Sequence, residues 1–187
     1  MEERPILFNA SMVRAILEGR KTQTRRIVKP KHIPLIDNLI DNWENRPFPY
    51  GKPSDRFWVK ETWAQDLHGE IFYAADYLNN PSIIEKWKPS IFMPRKIARI
   101  LLEISNIRVE RLQEMTEGDA KAEGVYEYSP GHGTWWAKDP KDGQGFGPWG
   151  FAKGAYSEVW ESINGKDSWD KNPWVWVIEF KRIEGVR

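Results

Sequence analysis

A short polar segment near the N-terminus combines the side chains of this sequence that are best suited to chemistry. Residues 21–26 read Lys-Thr-Gln-Thr-Arg-Arg, which places one amine, two hydroxyls and two guanidinium groups within six positions. A neutral lysine can act as a general base, and a hydroxyl that it deprotonates can act as a nucleophile. The same residue types are also typical of an exposed β-strand, so the segment by itself is compatible with a catalytic role and with a purely structural one.

Composition narrows the chemistry that the chain can perform. The 187 residues include no cysteine, and the three histidines, His32, His68 and His132, are far apart in the sequence. Disulfides, thiolate nucleophiles and zinc–cysteine sites are therefore excluded, and a histidine metal cluster is not indicated. We expect no metal and no cofactor, which leaves a hydroxyl activated by lysine as one of the few routes to amide hydrolysis.

Charge is balanced over the whole chain but not along it. The 28 Lys and Arg residues face 27 Asp and Glu residues, which argues against a protein that coats nucleic acid without sequence preference. Residues 1–31, by contrast, carry eight cationic side chains and three acidic ones. No apolar run approaches the roughly 20 residues of a membrane helix, and the N-terminus does not resemble a signal peptide. We therefore expect a cytoplasmic protein with no membrane contact.

The elements around the polar segment decide how its side chains are presented. An amphipathic helix is predicted after Ser11 as the N-cap, with Gly19 ending it in the left-handed conformation. A β-strand is predicted over residues 22–28. Positions 22, 24 and 26 of a strand share one face, so Lys21 can meet Thr24 only if it lies before the strand proper begins.

The rest of the sequence predicts more strands than helices. Residues 116–123 carry a capping box, with Thr116 as N-cap and Asp119 in the reciprocal position, and residues 151–163 form a second amphipathic stretch. Because no regular crossover helices separate the strands, a single α+β domain built on a mixed β-barrel is predicted over residues 1–187. Loop insertions are expected at about 29–56 and 124–150. The strands are predicted at residues 56–63, 70–74, 97–112 and 174–183, the last of them central because it is apolar on both faces.

Three stretches together resemble the ASCH family, which is related to PUA-like β-barrels. The first is the helix, glycine stop and Lys-Thr-x-Thr-x-Arg motif that ends at Arg26. The second is the short helix with Thr116, Ala120 and Glu123, and the third is the closing strand Val-Ile-Glu-Phe-Lys at 177–181. They occur in the family's order and cover about half of the chain. The resemblance implies a PUA-like mixed barrel with a few short helices packed around it.

The resemblance also implies an activity. Compact members of the family are amidohydrolases that remove acetyl from N4-acetylcytidine with a lysine, a threonine and a glutamate. By motif position these become Lys21 as base, Thr24 as nucleophile and Glu123 as proton donor, with Arg26 orienting the site and a modified cytosine nucleoside as substrate. The insertions and the tryptophan-rich residues 57–63 resemble larger, phage-associated ASCH proteins, whose activity the resemblance does not fix. Ser54 also stands where the family pattern has glycine.

Other roles remain open at this stage. Glu61 is a second candidate carboxylate facing a cleft, and Trp63 on the same face is a candidate for stacking on a base. The rival function is an RNA-binding module or weak ribonuclease that uses arginines on phosphates and tryptophans on unstacked bases; those arginines would be Arg20, Arg25 and Arg26. A third interpretation is a phage accessory protein whose cleft no longer catalyses. The sequence gives no indication of oligomeric state.

Overall fold

A computed structural model describes residues 1–32, 48–77, 84–129, 133–137 and 147–183. The predicted insertion at 29–56 therefore falls partly outside the described residues, as does the central part of the one at 124–150. Whether the chain forms a single domain with these insertions stays a prediction.

A five-stranded sheet forms the centre of the molecule. Its spatial order is β1-β3-β6-β9-β2, with β1 and β3 parallel and the other pairs antiparallel. β6 and β9 are the longest strands, and a bulge between Ile104 and Asn106 bends their ladder. The bounds are β1 Glu3–Leu7, β2 Gln23–Ile27, β3 Arg56–Lys60, β6 Leu101–Arg111 and β9 Trp174–Ile183.

β9 separates two apolar cores, as expected for a strand that is apolar on both faces. Trp176, Ile178 and Phe180 belong to the first core, together with residues of β1, β3, β6 and the N-terminal helix. Val175 and Val177 belong to the second core, beneath two further helices. The prediction that this strand is interior is confirmed, because β6 and β2 flank it.

The sheet is open at the level of its hydrogen bonds. The mixed α+β class is confirmed, but in the described part of the chain β1 and β2 are edge strands, so the predicted closed barrel does not form. The Arg26 side chain spans the gap instead, since its Nη2 donates to the Leu7 carbonyl at 2.9 Å. A single guanidinium thus stands where a closed barrel would have a ladder of backbone bonds.

Three helices complete the described architecture: α1 Ala10–Leu17, α2 Glu117–Ala122 and α3 Ala152–Asn164. The predicted capping box of α2 is confirmed, with the Thr116 side chain accepting from the Asp119 amide and the Asp119 side chain accepting from the Thr116 amide. Gly19 and Gly124 follow α1 and α2 in left-handed conformations, with φ of 76° and 94°.

Two details of the helices differ from the prediction. Asn9, not Ser11, is the N-cap of α1: its Oδ1 accepts from the Met12 amide at 2.9 Å, and the Ser11 hydroxyl donates to the same oxygen. Ile163, within the amphipathic stretch predicted at 151–163, is 50 % exposed, because it lies in the last turn of α3, beyond the second core.

Two predicted segments are subdivided in the structure. The run at 56–63 breaks after Lys60, and β4 Trp63–Gln65 leaves the main sheet to pair with β5 Ile71–Tyr73. The expected loop at 124–150 contains a hairpin of β7 Tyr126–Ser129 and β8 Thr134–Trp136. Ser54 has a φ of 74°, in the left-handed region that favours glycine.

Replacing Gly124 tests how tightly the turn after α2 is packed. A Cβ at this position would lie 2.9 Å from the Lys21 Cβ and 3.0 Å from the Ala15 Cβ. We expect Gly124→Ala to lower the free energy of unfolding by about 2–4 kcal/mol, from left-handed strain plus overpacking. Urea denaturation measures the loss.

Gly19→Ala is the matched control, because Gly19 is also left-handed but a Cβ there would meet nothing within 4 Å. It should show the conformational cost of about 1–2 kcal/mol alone. Equal losses for the two variants would contradict the close approach at Gly124.

Candidate active site

Lys21 and Glu123 meet where β2 begins. The two residues form an isolated antiparallel bridge, and the Thr22 amide donates to the Ala122 carbonyl at 2.8 Å. The Lys21 Nζ then donates to Glu123 Oε2 at 2.7 Å and to the Glu123 carbonyl oxygen at 2.9 Å. As anticipated from the parity of the strand, Lys21 precedes β2, which starts at Gln23.

This ion pair is enclosed by protein. The exposed fractions of the two side chains are 0 % for Lys21 and 1 % for Glu123. Burial lowers the pKa of the Lys21 ammonium more than the neighbouring Glu123 carboxylate raises it, and Arg26 and Arg25 lower it further by charge repulsion. A lysine with a lowered pKa is the kind of group that can serve as a base near neutrality.

Arg25 holds the other oxygen of the same carboxylate. Its Nη1 donates to Glu123 Oε1 at 3.1 Å, and its Nη2 donates to Glu110 Oε1 at 2.6 Å. The side chain is fully buried. Although burial lowers it, the Glu123 and Glu110 carboxylates leave the pKa of the Arg25 guanidinium raised overall. Glu123 is therefore oriented by two cations, one on each oxygen.

The ion-pair network continues from Arg25 to the surface. Arg108 pairs with Glu110 at 2.9 Å, with Asp119 at 2.6 Å and with Glu179 on β9. The Gln23 side chain donates to the Asp119 carbonyl at 3.0 Å. These contacts join β2, β6, β9 and α2 around one line of alternating charges.

Tyr156 on α3 completes the surroundings of Glu123. Its side chain is buried in the second core, close enough to Glu123 for the carboxylate to influence its pKa. Burial raises the pKa of the Tyr156 phenol well above its usual range, and the nearby Glu123 carboxylate raises it further. Neither Tyr156 nor Arg25 was predicted in this role. The sequence places Tyr156 only within the amphipathic stretch at 151–163, and Arg25 only among the arginines of the rival RNA-binding function.

Thr24 is buried on β2 but faces a different neighbourhood from Arg25. It lies opposite Ile178, whereas Arg25 lies opposite Val177, and directly opposed residues share a face of the sheet. Thr24 therefore faces the first core. In the described part of the chain no hydrogen bond joins its hydroxyl to Lys21 or Glu123. The Lys21 Nζ lies 5.7 Å from the centroid of the Phe8 ring, which belongs to that first core.

The remaining predicted residues occupy separate positions. Arg26 donates to the Leu7 carbonyl, and its Cζ lies 5.5 Å from the Phe8 ring centroid. It lies on the same face of β2 as Thr24. Glu61 accepts two hydrogen bonds of 2.9 Å from Arg99, and Arg99 also pairs with Asp76. Burial raises the pKa of the Glu61 carboxyl more than Arg99 lowers it. The structure therefore places Glu61 in a second ion-pair cluster.

Trp63 is enclosed rather than presented to a ligand. The residue is 7 % exposed, and the Lys88 Nζ lies 4.4 Å from its ring centroid. Stacking of a base on this ring would require the Lys88 side chain to move.

The described residues hold neither a metal-binding cluster nor a membrane-spanning helix. They contain no group of three acidic or histidine side chains placed to bind a metal ion. None of their helices combines the length and apolarity needed to cross a bilayer.

Comparisons with known proteins give one structural match. No protein-family model and no curated protein sequence matches this chain. Among solved structures, the crystal structure of an ASCH domain from Lactobacillus crispatus JV V101 matches with a TM-score of 0.43 and 12 % sequence identity. The match covers 97 % of this chain and 79 % of that one. That structure carries the name of the family which the Lys-Thr-x-Thr-x-Arg motif resembles.

Removing the shared carboxylate tests whether the buried network depends on it. In Glu123→Gln, the buried Lys21 and Arg25 lose their common counter-charge, so we expect a loss of about 3–5 kcal/mol in the free energy of unfolding. Urea denaturation with a fluorescence readout measures it. Glu179→Gln is the control, since it removes one carboxylate from the exposed end of the same network and should cost about 0–1 kcal/mol. A similar small loss in both variants would contradict the central place of Glu123.

Proposed function

We propose that this chain is an ASCH-type amidohydrolase that removes the acyl group from N4-acylated cytosine nucleosides such as N4-acetylcytidine. The observation that carries the proposal is the buried contact of 2.7 Å between Lys21 Nζ and Glu123 Oε2. Lys21 lies three residues before Thr24 in the sequence. The two residues are more than 100 positions apart in the sequence, and the motif that resembles the family predicts their meeting.

The ion pair supplies a route to a neutral lysine. A proton that passes from Lys21 to Glu123 leaves an uncharged amine beside an uncharged carboxylic acid. Burial favours this neutral pair, because two charges are costly to keep in a low-dielectric interior. Arg25 opposes the transfer by stabilising the carboxylate, so the carboxylic acid forms transiently and returns its proton readily.

The reaction then proceeds in two displacements. The Lys21 amine takes the Thr24 hydroxyl proton as Oγ1 attacks the acyl carbonyl carbon, and the C–N4 bond breaks as Glu123 protonates the leaving N4. The products of this step are the cytosine nucleoside and a Thr24 ester. Lys21 next passes its proton to Glu123, which restores the neutral pair. The Lys21 amine then deprotonates a water that attacks the ester carbonyl carbon, and Glu123 protonates the leaving Thr24 Oγ1, which releases the carboxylic acid and restores the hydroxyl.

The mechanism requires Thr24 to approach Lys21 in the complex with substrate. An ammonium has three N–H donors, and the two bonds to Glu123 use two of them. The third position on the nitrogen is left for the Thr24 hydroxyl, which must come within about 3 Å and donate its O–H to the lone pair once Lys21 is a neutral amine. Catalytic hydrogen bonds often tighten only when the substrate binds, so the separation in the free protein is compatible with this step.

The rival RNA-binding function finds less support in the side-chain positions. It relies on Arg20, Arg25 and Arg26 contacting phosphates, but Arg25 is fully buried against carboxylates. The lysine in the motif is likewise fully buried. Groups in these positions suit chemistry on a small enclosed group better than a phosphate surface.

Lys21→Arg separates base catalysis from charge stabilisation. We expect the wild-type rate of N4-acetylcytidine hydrolysis, followed by ultraviolet absorption as cytidine forms, to rise with pH through the lowered pKa of Lys21. Arginine keeps the charge but does not deprotonate in this range, so the variant should lose turnover. Circular dichroism checks that it is folded. A folded Lys21→Arg variant with near-wild-type activity would remove Lys21 as the base.

Substitutions of Thr24 test the nucleophile. Thr24→Ser retains a hydroxyl and should keep part of the activity, whereas Thr24→Val has nearly the same shape without one and should show none. Thr22→Val is the matched control, since Thr22 is an exposed threonine two residues earlier, and it should leave the rate within about twofold of wild type. Activity in Thr24→Val would assign the nucleophile to another group, such as water.

A further inference from the structure

A cleft of about 200 Å³ opens on the outer side of the turn that carries Glu123. It lies between α1 and α3 and includes Glu123 and Gly124 in its wall. Much of the remaining lining is apolar, from Met12 on α1, Val159 on α3 and Val125 after the turn. Apolar walls with a few convergent polar groups are typical of a site for a small organic ligand.

Glu158 is the first of those polar groups. It lines the cleft, and its Oε2 is buried with no hydrogen-bond partner among the described residues. Because a buried oxygen without a donor is costly, a ligand that brings an N–H to this position would be stabilised there.

Arg20 is the second polar group of the cleft. Its guanidinium is placed by three contacts: Nε donates to Glu18 at 2.7 Å, Nη1 donates to the Gly124 carbonyl at 2.7 Å, and the Cζ lies 5.4 Å from the Tyr126 ring centroid. Nη2 also pairs with Glu18 at 2.6 Å. These contacts use three of five N–H donors, which leaves two for a ligand acceptor.

We propose that this cleft is the base subsite, in which Glu158 accepts from the N4–H of the acylated cytosine and Arg20 donates to its O2. The proposal rests on the amidohydrolase function. Cytosine carries an exocyclic N–H at one end of its pairing edge and a carbonyl oxygen at the other, which matches one acceptor and one donor across a cleft. An N4-acylated base keeps one N4–H for this contact, and Glu123 is part of the wall of the same cleft.

The arrangement makes Glu158 a specificity residue. Uracil has a carbonyl oxygen in place of N4, so it would face Glu158 Oε2 with a second acceptor and leave both oxygens without a donor. A site built to hydrogen-bond a substrate N–H rejects an analogue that lacks it, because the buried polar groups stay unpaired. The cleft should therefore prefer cytidine to uridine even in the absence of any reaction.

Equilibrium binding tests this subsite independently of turnover. Cytidine and uridine are titrated into the purified protein, and their affinities are measured by calorimetry or by ligand-observed NMR. We expect cytidine to bind at least about tenfold more tightly than uridine, and Glu158→Met to lose that preference. Glu161→Met is the matched control, because Glu161 lies on the same helix but does not line the cleft. It should bind like wild type.

The outcomes separate the two proposals. Selective cytidine binding that Glu158→Met abolishes and Glu161→Met retains supports the subsite, and the absence of N4-acetylcytidine hydrolysis in the same samples would then count against the amidohydrolase function alone. Absence of cytidine binding, equal binding of cytidine and uridine, or unchanged selectivity in Glu158→Met overturns the subsite. Circular dichroism of each variant ensures that a lost affinity is not a lost fold.

Discussion

The structure depends on one electrostatic constraint: two fully buried cations, Lys21 and Arg25, share the single carboxylate of Glu123. Two positive charges beside one negative charge leave an uncompensated positive charge, which is costly in a protein interior. Further acidic side chains lie near Arg25 and compensate it. Glu110 supplies one on β6 and Asp119 approaches Arg25 at 3.6 Å from α2. The need for charge balance thus helps to fix how α2 docks on the sheet.

β2 divides its side chains between two environments. Gln23 and Arg25 join the ion-pair network, while Thr24 lies opposite Ile178 on the face of the first core. Lys21 escapes this alternation because it precedes the strand, and its ammonium lies near both the network and the Phe8 ring. A side chain placed at the end of a strand can reach groups on either face of the sheet, which a side chain within the strand cannot.

Much of this arrangement was predictable because its signals are local. The capping box at Thr116 and the glycine stops at Gly19 and Gly124 follow from short-range chemistry, as does the interior position of β9. The meeting of Lys21 with Glu123 was predicted only through the family resemblance. The roles of Arg25 and Tyr156 were missed, since an arginine in a polar strand and a tyrosine on an apolar stripe look the same whether or not a carboxylate lies nearby. The barrel was predicted wrongly for a similar reason, because whether β1 pairs with β2 depends on the whole sheet, and in the described residues the two strands stay at opposite edges.

The unpaired edges of the open sheet also affect the tendency of the protein to aggregate. A strand with an unpaired edge is a template for pairing with another chain, which leads to aggregation. β1 is such an edge in the described part of the chain, yet it is only five residues long, begins with Glu3 and Arg4, and has Pro5 at its centre. Proline offers no N–H to an incoming strand, and charged side chains disfavour an apolar match. The exposed edge at β1 is therefore a poor template for pairing with a strand from a second copy of the chain.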